Sequence, residues 1–311
     1  MKHKNNKRNF VDERFELLSV IFRLAGNWEY NIGAGSLENV EYPFPDEKVQ
    51  EIAKCDVTNV HQLEIVKTFL PFIDHEAVIF ARNSGSGYGD VFTFAMHIEK
   101  KGEQFVFLKD ISSLFVAEWN IEKAERFLPL LNKFYQDTDY ATFYSSQIPY
   151  YEEISRKFYE DYYHTVDFDW YNKYLDASNL HCVLSPSNSA ANYATIVNKD
   201  IFYCLVRISQ DSVVIHEYNH IFANPIAEKW YKENQQFRKW IDDSINIEKM
   251  PYYPTGIDMA REYVTIAYEI LYDVQHGGDA IQLIAIAKDR LFADTFPYIG
   301  EIYEMVLALE K

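Results

Sequence analysis

Cysteine is nearly missing from this sequence. The three present, Cys55, Cys182 and Cys204, stand far apart, are odd in number and form no CxxC pair. That spacing excludes a cysteine zinc site and a disulfide framework, and it leads us to expect free thiols in a reducing compartment. Long apolar runs are missing as well, so no segment reaches the roughly 20 apolar residues that a membrane-spanning helix needs. Basic charge is the third shortage. Thirty Lys and Arg face 47 Asp and Glu, a net charge of -17. Phosphate binding requires clustered cations, so a nucleic-acid partner is not expected, and an anionic membrane surface would repel the chain.

A cleavable leader is not evident either. Met1–Arg8 is basic, but the apolar stretch Leu17–Phe22 is short and bracketed by Glu16 and Arg23. The expected location is the cytoplasm, unless a leader was removed ahead of this numbering.

What remains is the composition of a globular enzyme-sized chain. It has 311 residues, 48% of them apolar, with 24 Tyr and 22 Phe, enough for a large core packed mainly by aromatic rings. Apolar residues recur at helical spacing over Val11–Leu24, Glu47–Ala53, Val60–Ile73 and Ile121–Tyr135. The aromatic-rich Tyr150–Tyr163 and Phe168–Leu175 read as helical too. Asn83-Ser-Gly-Ser-Gly-Tyr-Gly-Asp90 lacks both the Walker lysine and GxGxxG spacing, and reads as a flexible loop.

Near residue 178 the texture changes. Leu180–Leu184, Tyr193–Val197 and Ile201–Ile208 are short, apolar or β-branched, and separated by Pro186-Ser-Asn188 and Asn198-Lys-Asp200. That pattern predicts a small antiparallel meander. Helical periodicity resumes from Asp211, with breaks at Asn224-Pro225, Pro251–Gly256 and Gly277-Gly278. The expected class is therefore α+β and mainly helical. A helical lobe spans 1–177 and a metal-bearing lobe 178–311, or the two form one continuous catalytic domain.

The chemistry is concentrated in His216-Glu217-Tyr-Asn-His220. Residues four apart on a helix lie one turn above each other, so both imidazoles can reach one zinc ion (Zn2+) at about 2.0–2.1 Å. Glu217 is rotated by about 100° from His216, which keeps it off the metal yet beside it. Zinc brings the pKa of a water molecule towards about 7, and the glutamate can accept its proton as general base. Ser209 or Asp211 is placed to cap the helix, and Val213, Val214, Ile215, Ile221 and Phe222 to pack it. Asn224 before Pro225 is expected to end it near Ala223, with Pro225 opening a new helix and Asn224 as its cap.

These residues resemble the HExxH motif of the zincins. Ala223 and Ile226 stand where a metzincin has glycine and histidine, which leaves the gluzincin pattern, completed by a glutamate on a later helix. The run Ile215–Pro225, with Asn192-Tyr193 and Arg261-Glu262-Tyr-Val264, is similar to an uncharacterised bacterial family of gluzincin-like proteins, a domain of unknown function. The resemblance implies a zincin-like fold, a metallopeptidase activity, a peptide or protein substrate, and Glu262 as third ligand, 262 − 220 = 42 residues on. Helical periodicity alone permits Glu262 without selecting it, since Glu269 points almost the same way and Asp258 is near.

In zincins the strand before the metal helix offers its edge to the substrate; here that would be Asn192–Val197 or Ile201–Arg207. A donor to the developing oxyanion is also expected, and His276, Tyr298, and Tyr252 or Tyr253 are the candidates. His276, before Gly277-Gly278, equally suits a helix C-terminus, and Tyr298 the core. Asp74 in Asp74-His75-Glu76 reads as a helix cap. His61, His97, His164 and His181 have no partner at ligand spacing. A zinc-binding interaction module without peptidase activity is the alternative function, and a helical scaffold with a fortuitous motif the third.

Overall fold

The computed structural model describes residues 9–26, 60–84, 88–109, 119–187, 192–197, 201–206, 213–246, 253, 255–290 and 294–311. Their contacts group the chain into two units: Met1–Thr165 with His181–Asp211, and Val166–Leu180 with Ser212–Lys311. The grouping is discontinuous, unlike the single boundary expected at 177/178, and it puts the strands with the N-terminal helices. The fold is mainly helical with a small antiparallel sheet.

In the first unit, α1 (Glu13–Leu24) is capped by Asp12, which accepts from the Arg14 N–H at 2.9 Å. Every residue from Phe15 to Leu24 is buried, because this helix is apolar nearly all round. Its polar exceptions find partners. Glu16, fully buried, accepts from Ser185 Oγ at 2.9 Å and from Ser187 Oγ, and Arg23 donates to the Ser187 carbonyl at 2.5 Å.

Around α1 stand α2 (Val60–Phe69), α3 (Glu76–Ser84) and α4 (Tyr88–Met96). A hairpin, β1 (Ile98–Lys101) and β2 (Gln104–Phe107), then turns at Gly102, whose φ of +66° suits a tight loop. Next come α5 (Ile121–Asp137) and α6 (Tyr140–Asp161), with Pro129 and Pro149 inside them. The core is aromatic: Phe15, Phe22, Phe69, Phe94, Trp119, Phe127 and Phe134 are buried in one cluster.

Two expectations for this unit need correction. Asn83 and Ser84 end α3 and Tyr88–Asp90 open α4, so the ends of the supposed loop are helical and only 85–87 lie outside the described residues. The cap before α3 is His75, not Asp74: its Nδ1 accepts from the Ala77 N–H at 3.1 Å while Nε2 meets Asp137 at 3.2 Å. The helix expected at Glu47–Ala53 lies outside the described residues.

The strands β3 (Leu180–Leu184), β4 (Tyr193–Val197) and β5 (Ile201–Val206) form where expected, but in the order β3-β5-β4. β4 and β5 pair antiparallel, registered from Tyr193 opposite Leu205 to Val197 opposite Ile201. β4 lies on the far side of β5 from β3, so the sheet is not a meander in chain order. As central strand, β5 has no edge to offer a peptide; β4 is an edge strand.

The second unit is helical. After the short α7 (Phe168–Tyr171) come α8 (Val213–Glu233), α9 (Gln235–Ser244), α10 (Gly256–Gln275), α11 (Ala280–Lys288) and α12 (Ile299–Leu309). Its centre is α10, which buries Met259, Tyr263, Ile266, Tyr268 and Ile270 among others, and α8, α9, α11 and α12 all pack on it. Each fully buried Met or Ile side chain contributes roughly 1.5–3 kcal/mol. Thr255 caps the helix by accepting from the Asp258 N–H at 3.2 Å. Gly277, at φ +99°, ends it: the N–H of Gly278 bonds the Asp273 carbonyl at 2.8 Å and that of Gly277 the Val274 carbonyl at 3.1 Å, a Schellman motif.

The helix α8 does not stop near Ala223. It runs through Pro225 to Glu233, so Pro225 is interior and Asn224 is no cap. Proline deprives the Ile221 carbonyl of a partner, but the extended packing of α8 along α10 holds the helix together past that point. Among the described residues no helix is long and apolar enough to cross a membrane.

Candidate metal centre

The centre is built from two neighbouring helices. One turn of α8 carries His216 and His220, with ring centroids 4.8 Å apart and planes at 89°. Their Nε2 atoms approach to 3.2 Å. From α10, the two oxygens of Glu262 lie 3.5 Å from His216 Nε2 and 3.3 Å from His220 Nε2. Among the described residues, these three form a group whose ligand atoms all lie within 4.8 Å of one another.

Those separations fit a metal. Ligands bound tetrahedrally at about 2.0–2.1 Å stand about 3.3–3.4 Å apart, close to the 3.2 Å between the two Nε2 atoms, each of which has one of the two Glu262 oxygens at 3.3 or 3.5 Å. Two imidazole nitrogens at 3.2 Å also face each other without a hydrogen between lone pairs unless one is protonated, and a shared cation removes that conflict.

The tautomers are set from behind. Nδ1 of His216 donates to Glu269 Oε2 at 3.1 Å, and that same oxygen takes Arg290 at 2.5 Å. Nδ1 of His220 donates to Asn224 Oδ1 at 3.0 Å and also lies 3.0 Å from Thr265 Oγ1. A proton is thereby held on each Nδ1, so it is the Nε2 atoms that face Glu262, as proton donors without a cation and as lone pairs towards one. Between the helices sits Asn219, fully buried. Its amide oxygen accepts from the Glu269 N–H at 3.1 Å, and its nitrogen donates to the Ile215 carbonyl at 3.3 Å and the Tyr171 hydroxyl at 3.2 Å. This bridge fixes the register of α8 on α10.

No family model, curated protein or solved structure matches this chain. The site therefore has to be judged on its own geometry and electrostatics.

The side chains of His216, His220 and Glu262 are 12%, 13% and 12% exposed, so the cluster is mostly dehydrated but not sealed. Burial alone would lower the His216 pKa, but the hydrogen bonds and charges of Glu262 and Glu269 outweigh it and push it up to about 10. Burial likewise opposes the rise at His220, which Glu262 drives. Burial works to raise Glu262, yet the two imidazoles hold it well below the usual carboxylate range. Without a cation the carboxylates are thus balanced by protons on the histidines, protons that a divalent ion can replace. Glu217, buried beside the pair and outside the ligand triangle, has its pKa raised by burial, against the pull of His220 and His216.

Of the carboxylates that helical spacing left open, Glu262 is the one that faces both Nε2 atoms. Glu269 takes the rear of His216, and Asp258 sits in the first turn of α10, hydrogen-bonded to Thr255. Two other expected residues are not brought to the centre. His276 caps the far end of α10, 276 − 262 = 14 residues or about 21 Å along the axis, where it bonds Asp167 at 3.1 Å and stacks on Tyr272. Tyr298 precedes α12, stacked on Trp240 at 6.0 Å, with its N–H towards the Tyr263 hydroxyl on another face of α10. The tyrosine that does arrive is Tyr253, half-buried and close enough to feel the charges of Glu262 and Glu217. Tyr252 lies outside the described residues, as do the caps expected at Ser209 or Asp211.

Sequence reading missed the rear layer. Thr265 and Glu269 stand three and seven residues after Glu262, and Asn224 four after His220, so helical spacing could have found all three. Arg290 comes from the turn after α11 and carries no such signal.

Proposed function

We propose that this chain is a zinc-dependent metallopeptidase of zincin-like, gluzincin type, holding Zn2+ through His216, His220 and Glu262. The observation that carries the reading is the group of three, with the two Nε2 atoms 3.2 Å apart and each within 3.5 Å of a Glu262 oxygen, and with Glu217 beside it on α8. When bound, zinc supplies a Lewis acid that acidifies water and polarises a peptide carbonyl. Glu217 accepts the proton of the attacking water and returns it to the leaving amine. Burial, the first cause of its raised pKa in the metal-free chain, favours the protonated form it takes on during the exchange.

Tyr253 is the donor we assign to the developing oxyanion. Burial, then the charges of Glu262 and Glu217, raise its pKa, so its hydroxyl keeps the proton it donates. This replaces His276 and Tyr298 in that role.

The test is direct. The zinc-loaded chain is incubated with a mixed peptide library and the products are read by mass spectrometry. Cleavage that stops with a chelator and returns with zinc supports the reading. A zinc-loaded chain that leaves every peptide intact contradicts it and favours a zinc-binding interaction module.

A further inference from the structure

Behind His216 lies a connected pair that the proposed chemistry does not itself use. Glu269 Oε2 is shared between His216 Nδ1, at 3.1 Å, and Arg290, at 2.5 Å. The Glu269 side chain is 14% exposed and that of Arg290 29%. The three groups come from three elements: α8, α10 and the turn after α11. The backbone of α10 at Glu269 is tied to α8, because its N–H is held by buried Asn219 at 3.1 Å. Arg290 in turn restrains the carboxylate end. Its Nη1 meets the same oxygen that the imidazole takes, so Oε2 is held from two sides by charge-assisted bonds.

We propose that Glu269 and Arg290 are positioning residues for the metal centre: Arg290 aims Glu269, and Glu269 fixes the His216 ring so that Nε2 faces the cation. This rests on the metal reading above. Thr265 and Asn224 hold His220 from within α8 and α10, whereas the Glu269 carboxylate that holds His216 is itself held by Arg290, from outside both helices. The two ligands are therefore not equivalent, and His216 is the one that loosens when the α11 turn is altered.

The experiment uses the full chain and two probes, zinc affinity by competition with a chromophoric chelator and the visible absorption of bound cobalt(II), which reports ligand geometry. Glu269→Ala and Arg290→Met are expected to weaken zinc binding by about 10–100-fold, the usual cost of losing a partner behind a metal-bound histidine. Both should alter the cobalt spectrum, and Arg290→Lys should restore part of each effect. Should Glu269→Ala fail to fold, Glu269→Gln, which keeps the volume, carries the same expectation at smaller size. If these variants keep wild-type affinity and spectrum while His216→Ala loses zinc, the proposal is overturned and the metal site stands. If His216→Ala also keeps wild-type affinity, the metal reading itself falls and takes the proposal with it.

Discussion

Glu217→Gln separates metal binding from chemistry. The substitution keeps the shape of a buried side chain that lies outside the ligand triangle, so zinc content should stay at the wild-type level. What it removes is the proton acceptor. General base catalysis contributes about 10²–10⁴-fold, so turnover should fall by that factor, or about 2.7–5.5 kcal/mol in the barrier. Stability should move the other way. Burial raises the Glu217 pKa, which means that the folded state disfavours its charged form, and a neutral amide relieves that penalty. The metal-free variant should therefore melt no lower than wild type at neutral pH, and above it if the penalty dominates. Three assays on one preparation suffice: elemental analysis, a thermal melt and peptide cleavage. Wild-type turnover by this variant would refute the assignment of the base, and loss of its zinc would refute the claim that Glu217 stands off the metal.

Other consequences can be checked alongside. Zinc must displace protons from His216 and His220, both of raised pKa, so zinc affinity should climb as pH rises, by up to about tenfold per unit for each proton displaced; a chelator competition between pH 6 and 8 that comes out flat would contradict the charge balance. In the metal-free protein the raised His216 pKa contributes stability that is fully present below 6.5 and lost as pH climbs through about 10, while the lowered Glu262 pKa contributes stability present above 4.5 and lost in acid. The metal-free melting temperature should accordingly fall on either side of that window. Asn219→Ala leaves partners of a buried bridge unsatisfied and should cost about 1–3 kcal/mol in denaturant unfolding, with weaker zinc binding. Pro225→Ala should stabilise α8 by up to about 3 kcal/mol, because it restores a partner to the Ile221 carbonyl inside a continuous helix; a helix that instead loses stability would show that the proline is needed there.

Much of the fold was legible because periodicity reports burial. The apolar spacing of Val11–Leu24 and the β-branched runs at 180–184 and 193–197 give elements within two residues of those found. Local signals failed where packing outweighed them. Pro225 reads as a stop, but α8 lies along α10 far enough to continue. Asp74 is the better cap by type, yet His75 takes the position, anchored by Asp137 from a distant helix. The strand order could not be read at all, since it depends on where a link crosses rather than on any residue in it. At the site, the four-residue spacing placed His216 and His220 together, and the later glutamate needed the family resemblance to be singled out. Tyr253 and Arg290 arrive from irregular segments, where sequence carries no period and hence no face.

The most direct measurement is X-ray absorption at the zinc edge on the purified, zinc-saturated chain, with metal content determined on the same sample. The account predicts one zinc per chain, bound by two imidazole nitrogens and a carboxylate oxygen at about 2.0–2.2 Å with one position left to solvent. A chain that takes up no zinc, or a shell of four protein ligands, would contradict it.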